Sequence, residues 1–128
     1  MKNNNWLEFA QQDLRMAQIA FSEQIYNQAC FHCQQAAEKF LKGYLLSKNQ
    51  NPPKTHFLNE LLGLCAQGDK AFDGLEDDCA VLDDYYIPTR YPDALPGALP
   101  DGLPDSGDAS EALRIVEKIK QFITKKLE

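Results

Sequence analysis

Apolar residues recur three and four positions apart along most of this chain, and nowhere do they alternate with period two for long. From Trp6 to about Ser22 the stripe is Trp6, Ala10, Ala17 and Ala20, with Leu14 and Phe21 alongside and no Gly or Pro to interrupt it. That spacing predicts a first helix. Asp13 falls within the stripe, where an unpaired carboxylate is costly, so it lies at the stripe's edge or has a partner. From Ile25 to about Lys48, Tyr26, Ala29, Cys30, Cys33, Ala37, Phe40, Leu41 and Tyr44 predict a long amphipathic second helix at the centre of the fold. Asn51-Pro52-Pro53-Lys54 stops it. Thr55 then offers an N-cap for a third helix built on Leu58, Leu61, Leu62 and Cys65, with Gly68 at its end.

A fourth helix fits Ala71 to Tyr86, with Phe72, Leu75, Cys79, Leu82 and Tyr86 inward and Asp73, Glu76, Asp77, Asp83 and Asp84 mostly outward. Pro88 bars its continuation. Residues 92–108 carry Leu95-Pro96, Leu99-Pro100 and Leu103-Pro104 among Gly and Asp with no helical or strand period, which predicts a long loop. A last helix starts at Asp108, with Asp108 and Glu111 as a capping-box-like pair, and continues through Ala112, Val116, Ile119, Phe122, Ile123 and Leu127. Lys125 and Lys126 suit its C-terminal dipole. The expected fold is all-α: an up-and-down antiparallel bundle of four to five helices, in one domain spanning residues 1–128.

Composition narrows the function. The formal charge is −6, which opposes sequence-blind affinity for nucleic acid, so no DNA partner is expected and an RNA-directed role needs a local basic patch. Lys39, Lys42, Lys48 and Lys54 cluster around the second helix and its exit. No apolar run is long enough for a membrane span and no secretory signal is visible, which makes the cytoplasm the expected location. Cys30, Cys33, Cys65 and Cys79 lie on predicted helix faces, as buried thiols do. Cys30-Phe31-His32-Cys33 has zinc-ligand residue types but no second pair at finger spacing, so neither metal nor cofactor is expected.

Two stretches carry candidate chemistry. In Gln34-Gln35-Ala36-Ala37-Glu38-Lys39-Phe40-Leu41-Lys42, Gln35, Glu38 and Lys42 share one helical face. Glu38 and Lys42 read equally as a solvent-exposed i,i+4 pair or as part of a polar pocket where amides meet a base edge and cations meet phosphate. In Asp84-Tyr85-Tyr86-Ile87-Pro88-Thr89-Arg90-Tyr91-Pro92, Arg90 stands between aromatic rings, suited to stacking and forked hydrogen bonding. Its plainer role is a structural ion pair with Asp13 or Glu38. His56 is either an acid or base near neutral pH or a locally packed first-turn residue. Tyr85, Tyr86 and Tyr91 either stack on bases or fill the core.

The ordered set of Asp13-Leu14 and Ala17, then Ala29 and Gln34 to Lys42, then Thr55-His56-Phe57-Leu58, then Tyr85-Tyr86 and Arg90-Tyr91-Pro92-Asp93 resembles the HEPN domain family over almost the entire chain. The resemblance implies a dimerising helical bundle, nucleotide or RNA binding, and pairing with a small nucleotidyltransferase as a toxin–antitoxin couple. Some members are metal-independent ribonucleases marked by an arginine followed one or two helical turns later by a histidine. Here no histidine follows Arg90, the two present being His32 and His56. The expectation is therefore a homodimeric binding module that takes a nucleotide or RNA through Gln35, Glu38, Lys42, His56, Tyr86, Arg90 and Tyr91. The alternatives are a ribonuclease in which Arg90 stabilises the phosphate and His56 substitutes as base, and a pure protein-interaction module.

Overall fold

The computed structural model describes residues 4–86 and 102–128. Among these residues five α-helices follow one another: α1 (Asn5–Ser22), α2 (Tyr26–Ser47), α3 (Leu58–Gly68), α4 (Glu76–Asp83) and α5 (Ser106–Lys126), with a 3₁₀ segment, Lys70–Leu75, leading into α4. They form an up-and-down helical bundle. Central α2 packs against α1, α3, α4 and α5. Its small residues Ala29, Cys30, Cys33, Ala36 and Ala37 are fully buried and let the neighbouring helices approach, while Phe40, Leu41 and Leu45 fill the middle with Leu14, Leu58, Leu61, Leu82, Ile115 and Ile119. Burial of this kind supplies the main stabilisation of the fold.

α1 and α2 run antiparallel, and their contacts are close. The Asn4 side-chain amide donates to the Gly43 carbonyl at 2.8 Å, and a Cβ at Gly43 would sit 2.5 Å from Leu7 Cδ2. Both helices end in the same left-handed turn. Gln24 has φ 63° and Asn49 φ 61°, with Ile25 N donating to the Ala20 carbonyl and Gln50 N to the Leu45 carbonyl, so the orphan carbonyls of each last turn are satisfied. The second helix thus closes at Asn49, ahead of the two prolines.

Four predicted boundaries are corrected. Thr55 does not cap α3; its hydroxyl accepts from Phe57 N at 3.2 Å in a local turn, and the first amides of α3 instead point at Asp83. The predicted fourth helix is divided, because Phe72 and Leu75 bury at a spacing of three that fits 3₁₀ geometry, and Asp69 caps that segment by accepting from Ala71 N. The capping box of α5 pairs Asp105 with Asp108, not Asp108 with Glu111: Asp108 N donates to Asp105 Oδ1 at 2.9 Å and Asp105 N to Asp108 Oδ2 at 3.0 Å. Residues 106–108 of the predicted loop are consequently helical, and 87–101 lie outside the described residues.

Acidic side chains of the 3₁₀–α4 region tie it to α5. Lys118 Nζ lies 2.7 Å from Asp78 Oδ2, and Lys126 Nζ 2.7 Å from Asp69 Oδ2. All four cysteines are buried, and burial pushes the Cys30, Cys65 and Cys79 thiols up to about 12, which keeps them protonated and unreactive. No described helix is long and apolar enough to cross a membrane.

Candidate functional site

The polar face of α2 is built from two rows of helical neighbours, residues 32, 35 and 39 and residues 35, 38 and 42, which share Gln35. Each row carries a histidine, a lysine and a carboxylate gathered from more than one element.

The second row is the more deeply set. Glu38 and Lys42 are not a surface pair: their side chains are 4% and 6% exposed, with Lys42 Nζ 3.0 Å from Glu38 Oε2. Trp6, from α1, covers Lys42, its ring centroid 5.1 Å from Lys42 Nζ, close enough for cation–π attraction. The other oxygen, Glu38 Oε1, lies 3.0 Å from His56 Nδ1. His56 precedes α3 and its side chain remains 49% exposed. Its ring stacks on Tyr86 at 4.9 Å and 16°, and Phe57 meets the same tyrosine edge-on. Burial, and next the charge of Glu38, raise the Tyr86 phenol above its ordinary value, so it stays protonated.

A chain of amides holds the main chain under the imidazole. Gln34, fully buried, donates through Nε2 to the His56 carbonyl at 2.8 Å and lies 3.3 Å from Asp83 Oδ1, while Gln35 donates to Gln34 Oε1 at 2.7 Å. Asp83 turns inward, contrary to its predicted outward placement, and accepts from Leu58 N at 2.9 and 3.0 Å. It therefore caps α3 from α4. Burial raises its carboxyl above the usual range, and the bonds from Leu58, Gln34 and Asn59 only partly offset that rise.

In the first row, Asp13 of α1 accepts from Lys39 Nζ on one oxygen and lies 3.0 Å from His32 Nδ1 on the other. Asp13 thus has partners other than the predicted Arg90. Burial raises its carboxyl, but the hydrogen bonds and charges of His32 and Lys39 outweigh that and hold it below the ordinary carboxylate value.

Five of the predicted site residues, Gln35, Glu38, Lys42, His56 and Tyr86, come together in this region, whereas Arg90 and Tyr91 lie outside the described residues. Lys42 is not placed to hold a phosphate, because its ammonium is consumed by Glu38 and roofed by Trp6. Gln34, Trp6, Asp83 and His32 were not singled out from the sequence as site residues. The surviving outward group is the His56 ring edge. With Nδ1–H donated to Glu38, Nε2 faces away from the carboxylate, the arrangement that presents an imidazole as acceptor, or as donor once protonated. Among the described residues no group of three or more His, Cys, Asp or Glu side chains converges to hold a metal ion. A cavity of about 480 Å³ lined by Leu7, Phe40, Ile123 and Leu127, with Glu8 and Glu128 beside them, contains no cation or imidazole and does not suit a phosphate.

The HEPN domain family matches residues 4–127, and the chain belongs to it. Among solved structures it is similar to TT1696 from Thermus thermophilus, with 38% identity over 95% of each chain and a TM-score of 0.80. It is also similar to ST0689, an archaeal HEPN homologue, with 29% identity over the full length of both and a TM-score of 0.78. A HEPN domain protein of Thermotoga maritima, tm0613, has 27% identity over 96% of this chain and 97% of its own, with a TM-score of 0.76. Comparison with curated proteins finds no match.

Proposed function

We propose that this HEPN protein is a single-domain, cytoplasmic nucleotide- or RNA-binding module whose contact point is the outward edge of His56. The observation that supports this reading is the clamp on that ring: Nδ1 on a buried carboxylate, one face on Tyr86, and the backbone carbonyl on Gln34. Each of these contacts costs side-chain or polar-burial free energy, and together they hold the residue in one orientation. Gln35 is the nearby amide proposed to meet a base, Tyr86 supports the imidazole by stacking, and Arg90 and Tyr91 join the proposed site from the family resemblance. A homodimer and pairing with a small nucleotidyltransferase in a toxin–antitoxin couple belong to the proposal on that resemblance alone.

A ribonuclease reading is favoured by one specific feature. The Glu38–His56 dyad fixes the tautomer in which Nε2 can take a proton from a 2′-hydroxyl. It predicts RNA cleavage that persists in EDTA and disappears in His56→Gln.

Thermal unfolding with a panel of nucleotides and short RNAs at modest salt, wild type beside His56→Gln, tests the binding reading. A ligand at 100 times its Kd adds about 2.7 kcal/mol of stability. A midpoint shift in wild type that is reduced in His56→Gln supports the site. No shift with any member of the panel contradicts it and favours a protein-interaction module.

A further inference from the structure

We propose that the cavity between the start of α1 and the end of α5 is a ligand site of its own, and that it takes an apolar amine: a hydrocarbon body ending in an ammonium. The proposal stands apart from the His56 reading, because the cavity shares no residue with the polar face of α2.

The hydrocarbon body follows from the lining. The cavity holds about 480 Å³, within the roughly 300–1,000 Å³ that small-molecule sites occupy. Phe40 of α2 and Ile123 of α5 are buried at its base, and Leu7 and Leu127 are only partly buried beside them. Apolar surface therefore remains for a guest to cover. The walls are short: α1 contributes from Leu7 to Gln11 and the end of α5 from Ile123 to Glu128, roughly one and a half turns each. A partner helix laid in a groove needs a longer trough, with anchors from i to i+7. A small molecule does not.

The positive charge follows from the rim. Glu8 and Glu128 are exposed at the opening, and Gln11 and Thr124 add an amide and a hydroxyl oxygen able to accept from an ammonium. Among the described residues no basic side chain lines the cavity. The lysines that end α5 are engaged elsewhere. Lys126 Nζ lies 2.7 Å from Asp69 Oδ2 and over the Phe122 ring, and Lys125 lines an adjoining cavity of about 430 Å³, which Glu128 also reaches. Glu8 is thus the carboxylate left wholly to this site. A carboxylate guest would be repelled from the rim, and a neutral one would gain nothing from it. The formal charge of −6 favours the approach of a cation in the same sense.

The test is methyl-resolved NMR titration of the full chain with octylammonium, hexylammonium, octanol and octanoate. It compares wild type with the double variant Glu8→Gln/Glu128→Gln and with Thr124→Trp, whose indole would cross the opening from an exposed position. Each thermal midpoint is checked. The expected result is saturable shifts at the Leu7, Ile123 and Leu127 methyls, with octylammonium about tenfold tighter than octanol, as two exposed ion pairs of about threefold each supply. Octanoate should bind more weakly than either. Octylammonium should exceed hexylammonium about tenfold, from two more buried methylenes. In the double variant ammonium and alcohol should converge to within about twofold, and Thr124→Trp should abolish binding of both.

Octanol equal to octylammonium in wild type, or a gap that survives in the double variant, overturns the amine assignment. Binding untouched by Thr124→Trp, or no saturable shift with any member of the series, overturns the site. Methyl shifts that follow protein concentration rather than added amine place a second copy in the cavity and overturn it too. None of these results bears on His56, and His56→Gln should leave octylammonium binding unchanged.

Discussion

The two carboxylate–histidine–lysine clusters on α2 use the same residue types and differ in depth. Around Glu38 the lysine is sealed in and the histidine is half out; around Asp13 the lysine and histidine are about equally accessible. The cause is the α1 side chain that lies against each. Trp6 roofs Lys42, whereas Lys39 meets the short Asp13 side chain and stays 25% exposed. In the first case the ion pair is a foundation beneath a half-exposed imidazole. In the second all three groups share the boundary with solvent.

The largest effect should come from breaking the deep pair. Glu38→Gln leaves the Lys42 ammonium buried without its carboxylate and should cost about 3 kcal/mol or more in urea unfolding. Asp13→Asn, nearer solvent, should cost about 1–2 kcal/mol. A loss at Asp13 as large as at Glu38 would erase the distinction between the clusters.

Acid titration sharpens it further. The Asp13 carboxyl is held below 3.8, so its contribution is present above that value and is lost as pH falls through the lower folded value. The Asp83 carboxyl is held above 3.8, so its contribution is present below that value and is lost as pH rises through the higher folded value. Relative to wild type, Asp13→Asn should lose less stability on acidification just below 3.8, and Asp83→Asn should lose less on raising the pH just above it. Parallel unfolding curves across this range would contradict both environments. Asp83→Ala, which uncaps α3, should cost about 1 kcal/mol at neutral pH. Smallest of all is His56→Gln, expected within about 0.5–1 kcal/mol of wild type because half the side chain is already in water.

Much of this was legible in the sequence. The three-and-four spacing located the helices, and Asp13 within an apolar stripe signalled a partner. Residues facing one another across the bundle were not legible. An i,i+4 Glu–Lys pair looks the same on an exposed face as under a tryptophan from another helix, so Glu38 and Lys42 gave no sign of their depth. Asp83 sits at an outward phase of its own helix, yet the orphan amides at Leu58 and Asn59 draw it inward. Helix ends shifted for a local reason: Asp105 and Asp108 satisfy each other's amides, which competes successfully with a start three residues later.

The central claim is that Glu38 fixes the His56 ring with Nε2 outward. Nitrogen-15 NMR of the imidazoles, at a pH where the rings are neutral, tests it most directly. The predicted result is a His56 ring protonated on Nδ1, with that signature lost in Glu38→Gln. A ring protonated on Nε2, or a mixture of tautomers indifferent to Glu38→Gln, would contradict the account.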